Sequence, residues 1–89
     1  MALKLDFSGR AADFADGLPP KQFRQALRKV FALLEEPLPH DSQALSGSSY
    51  RRADVGEYRI IYMVEKDVLR VVTIGKRNDG EVYRDVKRL

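Results

Sequence analysis

The stretch "YRRADVGEYRIIYMVEKDVLRVVTIGKR", residues 50–77, carries the strongest fold signal in the chain. Three runs within it, "YRRADV", "EYRIIYMVE" and "VLRVVTIGKR", are rich in β-branched and aromatic residues and predict β-strands. Tight turns separate these runs at residues 55–57 and 65–67. Connections this short join antiparallel neighbours, so the sequence predicts a three-stranded antiparallel meander.

The residues before the meander predict one strand and two helices. "ALKLDF" alternates apolar and polar residues and indicates a half-buried first strand. Ser8 is a suitable cap for a short helix over "GRAADFADG", which Gly17 and the following prolines end. A longer helix is predicted over residues 20–36 from apolar residues at three- and four-residue intervals. These are Phe23, Leu27, Val30, Phe31 and Leu34.

The remaining segments are a loop and a C-terminal helix. "PLPHDSQALSGSS", residues 37–49, is a loop by composition. "DGEVYRDVKRL" spaces Val82, Val86 and Leu89 for a short helix capped by Asp79. The predicted fold class is therefore α+β, with an N-terminal strand, two helices, the antiparallel meander and a short C-terminal helix.

Length and composition restrict the class of protein. A chain of 89 residues predicts a single domain over residues 1–89, and the absence of cysteine excludes a disulfide framework or a thiolate zinc site. The N-terminus lacks the apolar core of a signal peptide, and the longest apolar runs are shorter than the roughly 20 residues that span a bilayer. We therefore expect a cytoplasmic protein with no membrane partner.

The net charge of +3 comes entirely from the second half of the chain. Residues 1–47 hold six basic and six acidic residues, whereas residues 48–89 hold ten basic and seven acidic residues. A basic sheet face suits a polyanion. A solvated surface rich in lysine and arginine is the alternative that charge by itself leaves open.

Strand alternation tests which basic residues share a face of the sheet. Any two-residue turn near Gly56 places Arg52 on the same face as Arg59, and Arg51 on the opposite face unless a bulge intervenes. In the second hairpin, a two-residue turn pairs Arg59 with Ile74 and turns Arg77 away. A three-residue turn over residues 65–67 brings Arg77 to the face of Arg59, and we favour this longer turn.

With the longer turn, the predicted sheet has an arginine face and a core face. The arginine face carries Tyr50, Arg52, Arg59 and Arg77, with Ile61, Met63, Leu69 and Val71 at its far end. The core face, against which the helices are expected to pack, carries Tyr58, Ile60, Tyr62, Val64, Val72 and Ile74. The apolar end of the arginine face requires a cover, either the C-terminal helix or a partner chain.

Arginines gathered on one face predict an anion site. Planar guanidinium groups match phosphate oxygens with paired hydrogen bonds, so a phosphodiester fits this arrangement. The alternative is that nearby carboxylates neutralise the arginines, and Asp54, Glu57 and Asp79 are available for this.

The motifs "GEYRIIYMV", "TIGKRNDGEVY" and "VKRL", in this order and spacing, resemble the RelE toxins of the RelE/ParE toxin–antitoxin superfamily. The resemblance spans residues 50–89. It implies a ribosome-dependent endoribonuclease that cuts mRNA in the ribosomal A site, beside 16S rRNA, and that a cognate antitoxin inhibits. It further implies catalytic roles for Arg59, Arg77 and Tyr83.

The resemblance also implies two basic residues on the preceding strand, where well-known members have two lysines separated by one residue. Alignment from Tyr50 equates Arg51 with the first lysine, whereas alignment backward from Arg59 equates Arg52 with the second. The predicted catalytic set is therefore Arg52, Arg59, Arg77 and Tyr83, with Arg51 and Lys76 as substrate-binding residues.

Such a site would work without a cofactor or metal. His40 lies in a proline-flanked loop and is expected to be exposed, and no acidic or histidine cluster has metal-ligand spacing. The arginines would stabilise the charge of the transition state, and Tyr83 would transfer a proton. Two alternatives remain: a ParE-like gyrase poison, and a non-catalytic RNA-binding domain.

Overall fold

The computed structural model describes residues 3–45 and 47–77. The described elements follow the chain as β1 (Lys4–Phe7), α1 (Gly9–Asp16), α2 (Pro20–Glu35), β2 (Ser42–Ala44), β3 (Arg51–Val55), β4 (Tyr58–Glu65) and β5 (Val68–Lys76). The α+β class, the first strand, both helices and the meander are confirmed. The predicted C-terminal helix lies outside the described residues.

The strands form one five-stranded sheet in the order β1-β5-β4-β3-β2. The first strand pairs in parallel with β5, and the other pairs are antiparallel. Strand β2 is a correction, because the sequence predicts only a loop over residues 37–49. Its three residues pair with β3, with Ser42 opposite Ala53 and Ala44 opposite Arg51. A strand this short carries no recognisable alternation.

Helices α1 and α2 begin and end where local chemistry predicts. The Ser8 hydroxyl accepts a hydrogen bond from the Ala11 amide (3.0 Å) and caps α1. Pro20 occupies the first turn of α2, where its missing amide hydrogen costs nothing. Phe31, predicted to belong to the apolar stripe, is instead exposed on the outer side of α2. Neither described helix is long and apolar enough to cross a membrane.

Both helices pack on one face of the sheet and enclose the core. The buried core cluster comprises Ala11, Val30, Leu33, Ala53, Ile60, Tyr62, Leu69, Val71 and Ile74. Tyr62 is fully buried at its centre, and its hydroxyl donates to the Pro37 carbonyl (2.6 Å). That bond satisfies the polar end of the ring, which would otherwise carry a desolvation cost. The opposite sheet face carries Arg52 and Arg59.

The hairpin between β4 and β5 differs from the predicted one. Its turn has two residues, Lys66 and Asp67, because Glu65 pairs with Val68; the predicted three-residue turn is wrong. Further along the hairpin, the pairing register between β4 and β5 changes by one residue. Tyr62 pairs with Val71 whereas Ile61 pairs with Thr73, so an extra residue, Val72, forms a β-bulge.

Ser8 binds the bulge directly. Its amide donates to the Val71 carbonyl (3.0 Å) and its hydroxyl donates to the Val72 carbonyl (2.6 Å). Ser8, the N-cap of α1, therefore donates hydrogen bonds to two backbone carbonyl groups at the β-bulge. The start of the first helix and the bend in the last strand stabilise each other.

The bulge reverses the alternation beyond it. Leu69 and Val71 lie in the core cluster and not on the arginine face, contrary to prediction, because the two-residue turn pairs Val64 with Leu69. After the bulge, Arg59 lies opposite Gly75. Arg77, two residues beyond Gly75, is thereby on the face of Arg59.

Candidate functional site

Arg59 and Asp54 are directly opposed residues of β4 and β3 and form a two-bond ion pair. Arg59 Nε donates to Asp54 Oδ1 at 2.7 Å, and Arg59 Nη2 donates to Oδ2 at 3.2 Å. The tight turn at Gly56–Glu57 sets this register, and Gly56 adopts a φ of 57° that glycine permits at low cost. The guanidinium of Arg59 is thus oriented by a fixed neighbour in the sheet.

Arg77 reaches the same carboxylate from the end of β5. Its backbone amide donates to the Glu57 carbonyl (2.9 Å), which ties the strand end to the first turn. Its Nε lies 3.4 Å from Asp54 Oδ2, and its Nη1 donates to the Gly56 carbonyl at 3.3 Å. Arg59 and Arg77 therefore converge, as predicted, although a bulge and not a longer turn is the cause.

The arrangement favours the ionised form of Asp54. The hydrogen bond from Arg59 holds the pKa of the Asp54 carboxyl below its usual value, and the positive charges of Arg77 and Arg52 act in the same direction. Asp54 is therefore ionised at neutral pH. The predicted neutralisation by nearby carboxylates is therefore observed for Asp54, whereas Asp79 lies outside the described residues.

Arg52 lies on the same face as Arg59, since its partner Ile61 is two residues along β4. Its guanidinium hydrogen-bonds the side-chain oxygen of Gln43 on the edge strand β2. The sequence did not indicate a role for Gln43, because β2 itself was not predicted. We name the group of Asp54, Arg52, Arg59 and Arg77 the arginine cluster.

Arg51 and Lys76 lie on the opposite, helix-side face. Arg51 Nη2 donates to the Ser42 hydroxyl at 2.9 Å. Lys76 is opposite Tyr58, whose ring meets that of Phe14 edge-on at 5.9 Å. The structure does not bring these two residues into the arginine cluster, and their substrate-binding roles stay predictions. Tyr83 lies outside the described residues.

An open cleft adjoins the arginine cluster. Its volume is about 480 Å³, and its lining includes Gly56, Glu57, Lys76 and Arg77. The first turn and the end of β5 thus form the walls next to the two converging guanidinium groups. The guanidinium groups beside this opening can donate paired hydrogen bonds to the oxygens of a phosphate group. Within the residues that the structure describes, no group of three acidic, histidine or cysteine side chains could hold a metal ion.

Comparison with known proteins gives the family. The model of the family described as "ParE toxin of type II toxin-antitoxin system, parDE" matches residues 6–80, which is most of the chain. No curated protein is significantly similar in sequence.

Solved structures agree over nearly the whole chain. A mutant of the Escherichia coli toxin RelE in the free state is 30% identical, with a TM-score of 0.84 and coverage of 100% of this chain and 99% of that one. RelE in the RelE–RelB complex from Pyrococcus horikoshii OT3 is 26% identical, with a TM-score of 0.78 and coverage of 88% and 98%.

The intact E. coli RelBE toxin–antitoxin complex contains a chain that is 26% identical, with a TM-score of 0.76. The match covers 88% of this chain and 100% of that one. The family match and the agreement in fold lead to one conclusion. The chain belongs to the RelE/ParE superfamily of type II toxin–antitoxin toxins and is a RelE-like member of it.

Proposed function

We propose that this toxin is a ribosome-dependent endoribonuclease that cuts mRNA in the ribosomal A site. One observation carries the proposal: Arg59 of β4 contacts both oxygens of the Asp54 carboxylate, and Arg77, directly after β5, contacts one of them. A carboxylate paired with two guanidinium groups resembles a phosphodiester, whose oxygens could accept hydrogen bonds from the same two groups. The cytoplasm, where ribosomes translate mRNA, is the corresponding location.

The proposed reaction uses the RNA's own 2′-hydroxyl as the nucleophile. Its oxygen forms a bond to phosphorus, the bond from phosphorus to the 5′ oxygen breaks, and a proton moves from the first oxygen to the second. Arg59 and Arg77 stabilise the negative charge that grows on the phosphate. Arg52 supplies positive charge near the 2′-oxygen, and Tyr83 transfers a proton. Guanidinium groups provide the charge stabilisation, so the scheme needs no metal ion.

Arginine is a poor general base because it stays protonated, so the chemistry on free RNA is expected to be slow. The ribosome would compensate by holding the mRNA in a reactive geometry, which can lower a barrier substantially. Because the proposed site has no good general base, we expect cleavage to depend on the ribosome.

A cognate antitoxin is the proposed protein partner. Several similar structures are complexes of RelE with the antitoxin RelB, from E. coli and two archaea. We expect the product of a neighbouring gene to bind this toxin, raise its melting temperature and block cleavage. A mixture in which the melting temperature and the cleavage rate both stay unchanged would contradict this partner.

Cleavage on programmed ribosomes tests the proposal. Wild-type protein should yield discrete breaks within the A-site codon, and Arg59→Ala, Arg77→Ala and Tyr83→Phe should lose most of that activity. Arg70→Ala is the matched control, since Arg70 is also an aspartate-paired arginine of the sheet. Intact mRNA after incubation with the wild type would contradict the proposal.

Gyrase inhibition is the second candidate, because the matching family model is that of ParE. Primer extension on mRNA from arrested cells separates the two functions. Breaks within codons support the nuclease, whereas a DNA damage response with intact mRNA supports the gyrase poison.

A further inference from the structure

The Asp54 carboxylate occupies donor groups of Arg59 and Arg77 that could otherwise bind a phosphate. Both of its oxygens are engaged, Oδ1 by Arg59 Nε and Oδ2 by Arg59 Nη2 and Arg77 Nε. Arg59 uses the edge formed by its Nε and Nη2, which binds planar anions with parallel bonds, and Arg77 contacts the carboxylate through its Nε. A phosphate approaching the same edges meets an anion that is part of the protein.

The sheet holds this carboxylate in place. Asp54 and Arg59 are opposed across the ladder between β3 and β4, close to the turn that joins the two strands. A tethered group competes at a high effective concentration, so it reoccupies the site whenever the site empties. The lowered pKa of Asp54 keeps it charged at neutral pH, which maintains the competition.

We propose that Asp54 is an internal competitor of the substrate phosphate, which must leave the Nε edges of Arg59 and Arg77 before a phosphodiester can bind there. The inference rests on the proposed function for the identity of the substrate, but the competition itself concerns any phosphate. In the empty protein, Asp54 keeps the two like-charged guanidinium groups together and correctly oriented. In the complex it lowers the affinity for the anion.

The charges set the direction of the effect. Arg52, Arg59 and Arg77 are positively charged, and Asp54 places a negative charge among them. Replacing Asp54 by asparagine keeps the shape and removes the negative charge, so anions should bind more tightly. A role in which Asp54 stays in place and only orients the arginines has the opposite consequence, because the asparagine variant would then bind anions more weakly.

Phosphate titration followed by NMR tests the competition in the protein as it exists. The probe is inorganic phosphate at constant ionic strength, and the signals are the Nε–H groups of Arg59 and Arg77 in the wild type. We expect both signals to shift on saturation, whereas that of Arg70, paired with Asp6, should not. The absence of a shift at Arg59 and Arg77 would overturn the inference without any variant.

Two variants extend the test to RNA. A single-stranded oligonucleotide with 2′-O-methyl groups is a probe that cannot be cleaved by 2′-oxygen attack. Asp54→Asn should bind it about fivefold more tightly than the wild type, as expected for removing one charge near an anion in a partly solvated site. Asp6→Asn, the matched control, should bind like the wild type. Equal or weaker binding by a folded Asp54→Asn protein would overturn the inference.

The outcomes separate this inference from the proposed function. If phosphate shifts Arg59 and Arg77 and Asp54→Asn binds anions more tightly, the competition holds even when ribosomal mRNA stays intact. In that case the nuclease proposal fails by itself. If mRNA is cleaved but Asp54→Asn shows no gain in affinity, the nuclease proposal holds and the competition fails.

Discussion

Two arginine–aspartate pairs on the sheet share one geometry and differ in their surroundings. Arg59 Nε lies 2.7 Å from Asp54, and Arg70 Nε lies 2.7 Å from Asp6. The side chains of the first pair are 11% and 33% exposed, whereas those of the second are 42% and 53% exposed. Moreover, Asp54 is shared with Arg77. The two pairs therefore have equal bond lengths, and burial and a shared carboxylate set the candidate site apart from the exposed pair.

The largest difference is expected in catalysis. Arg59→Ala removes a donor that, under the proposed function, stabilises the developing charge of the phosphate, so single-turnover cleavage on ribosomes should fall about 100-fold or more. Arg70→Ala should leave the rate within about twofold, because a pair exposed to solvent contributes little. A similar loss in both variants would show that general basic charge, and not the arginine cluster, carries the activity.

A smaller effect on cleavage is expected for Arg52, the third guanidinium of the arginine cluster. Arg51 and Arg52 are adjacent but lie on opposite faces, one bonded to Ser42 and the other to Gln43. Arg52→Ala should slow cleavage about tenfold through loss of a nearby positive charge. Arg51→Ala should slow cleavage less, and chemical unfolding should detect its effect as reduced stability. A greater loss of cleavage in Arg51→Ala than in Arg52→Ala would contradict the assignment of the catalytic role to Arg52.

A smaller difference is expected in stability. Asp54→Asn weakens bonds to a largely buried guanidinium and should lower the free energy of unfolding by about 1 kcal/mol. Asp6→Asn should lower it by less than about 0.5 kcal/mol, the usual range for exposed pairs. Urea unfolding at pH 7 measures both. Equal losses of unfolding free energy in the two variants would mean that burial does not make the Asp54–Arg59 pair more stabilising than the exposed pair formed by Asp6.

The smallest effect concerns pH. The folded pKa of Asp54 is depressed by Arg59, so its stabilising contribution is complete above the unfolded value of about 4 and disappears as pH falls through the lower folded value. The difference in unfolding free energy between the wild type and Asp54→Asn should therefore shrink as pH falls below about 4. A difference that stays constant down to pH 2.5 would contradict the assignment of the shift to ionised Asp54.

The two hairpins show which parts of the site the sequence can predict. In the first hairpin, Gly56 marks the turn and the ladder is regular, so alternation correctly places Arg52 and Arg59 on one face. In the second, the bulge at Val72 lies within a run of β-branched residues, and nothing in that run marks an extra residue. The prediction that Arg59 and Arg77 share a face is correct, but for a different physical reason.

Other features depended on tertiary contacts that no local pattern reveals. Strand β2 exists because its residues pair with β3, and Gln43 meets Arg52 only through that pairing. The bulge is held by Ser8, whose sequence position indicates a helix cap and nothing more. Asp54 was visible in the sequence as a possible neutralising group, yet its position between two guanidinium groups required the register of three strands.

A double-mutant cycle on programmed ribosomes tests most directly whether Arg59 and Arg77 act on one phosphate. Single-turnover cleavage rates would be compared for the wild type, Arg59→Ala, Arg77→Ala and the double variant. Because the two guanidinium groups are expected to hold the same phosphate, the double variant should be only slightly slower than the slower single variant. Losses that multiply in full would show that the two arginines act independently and would contradict a shared phosphate site.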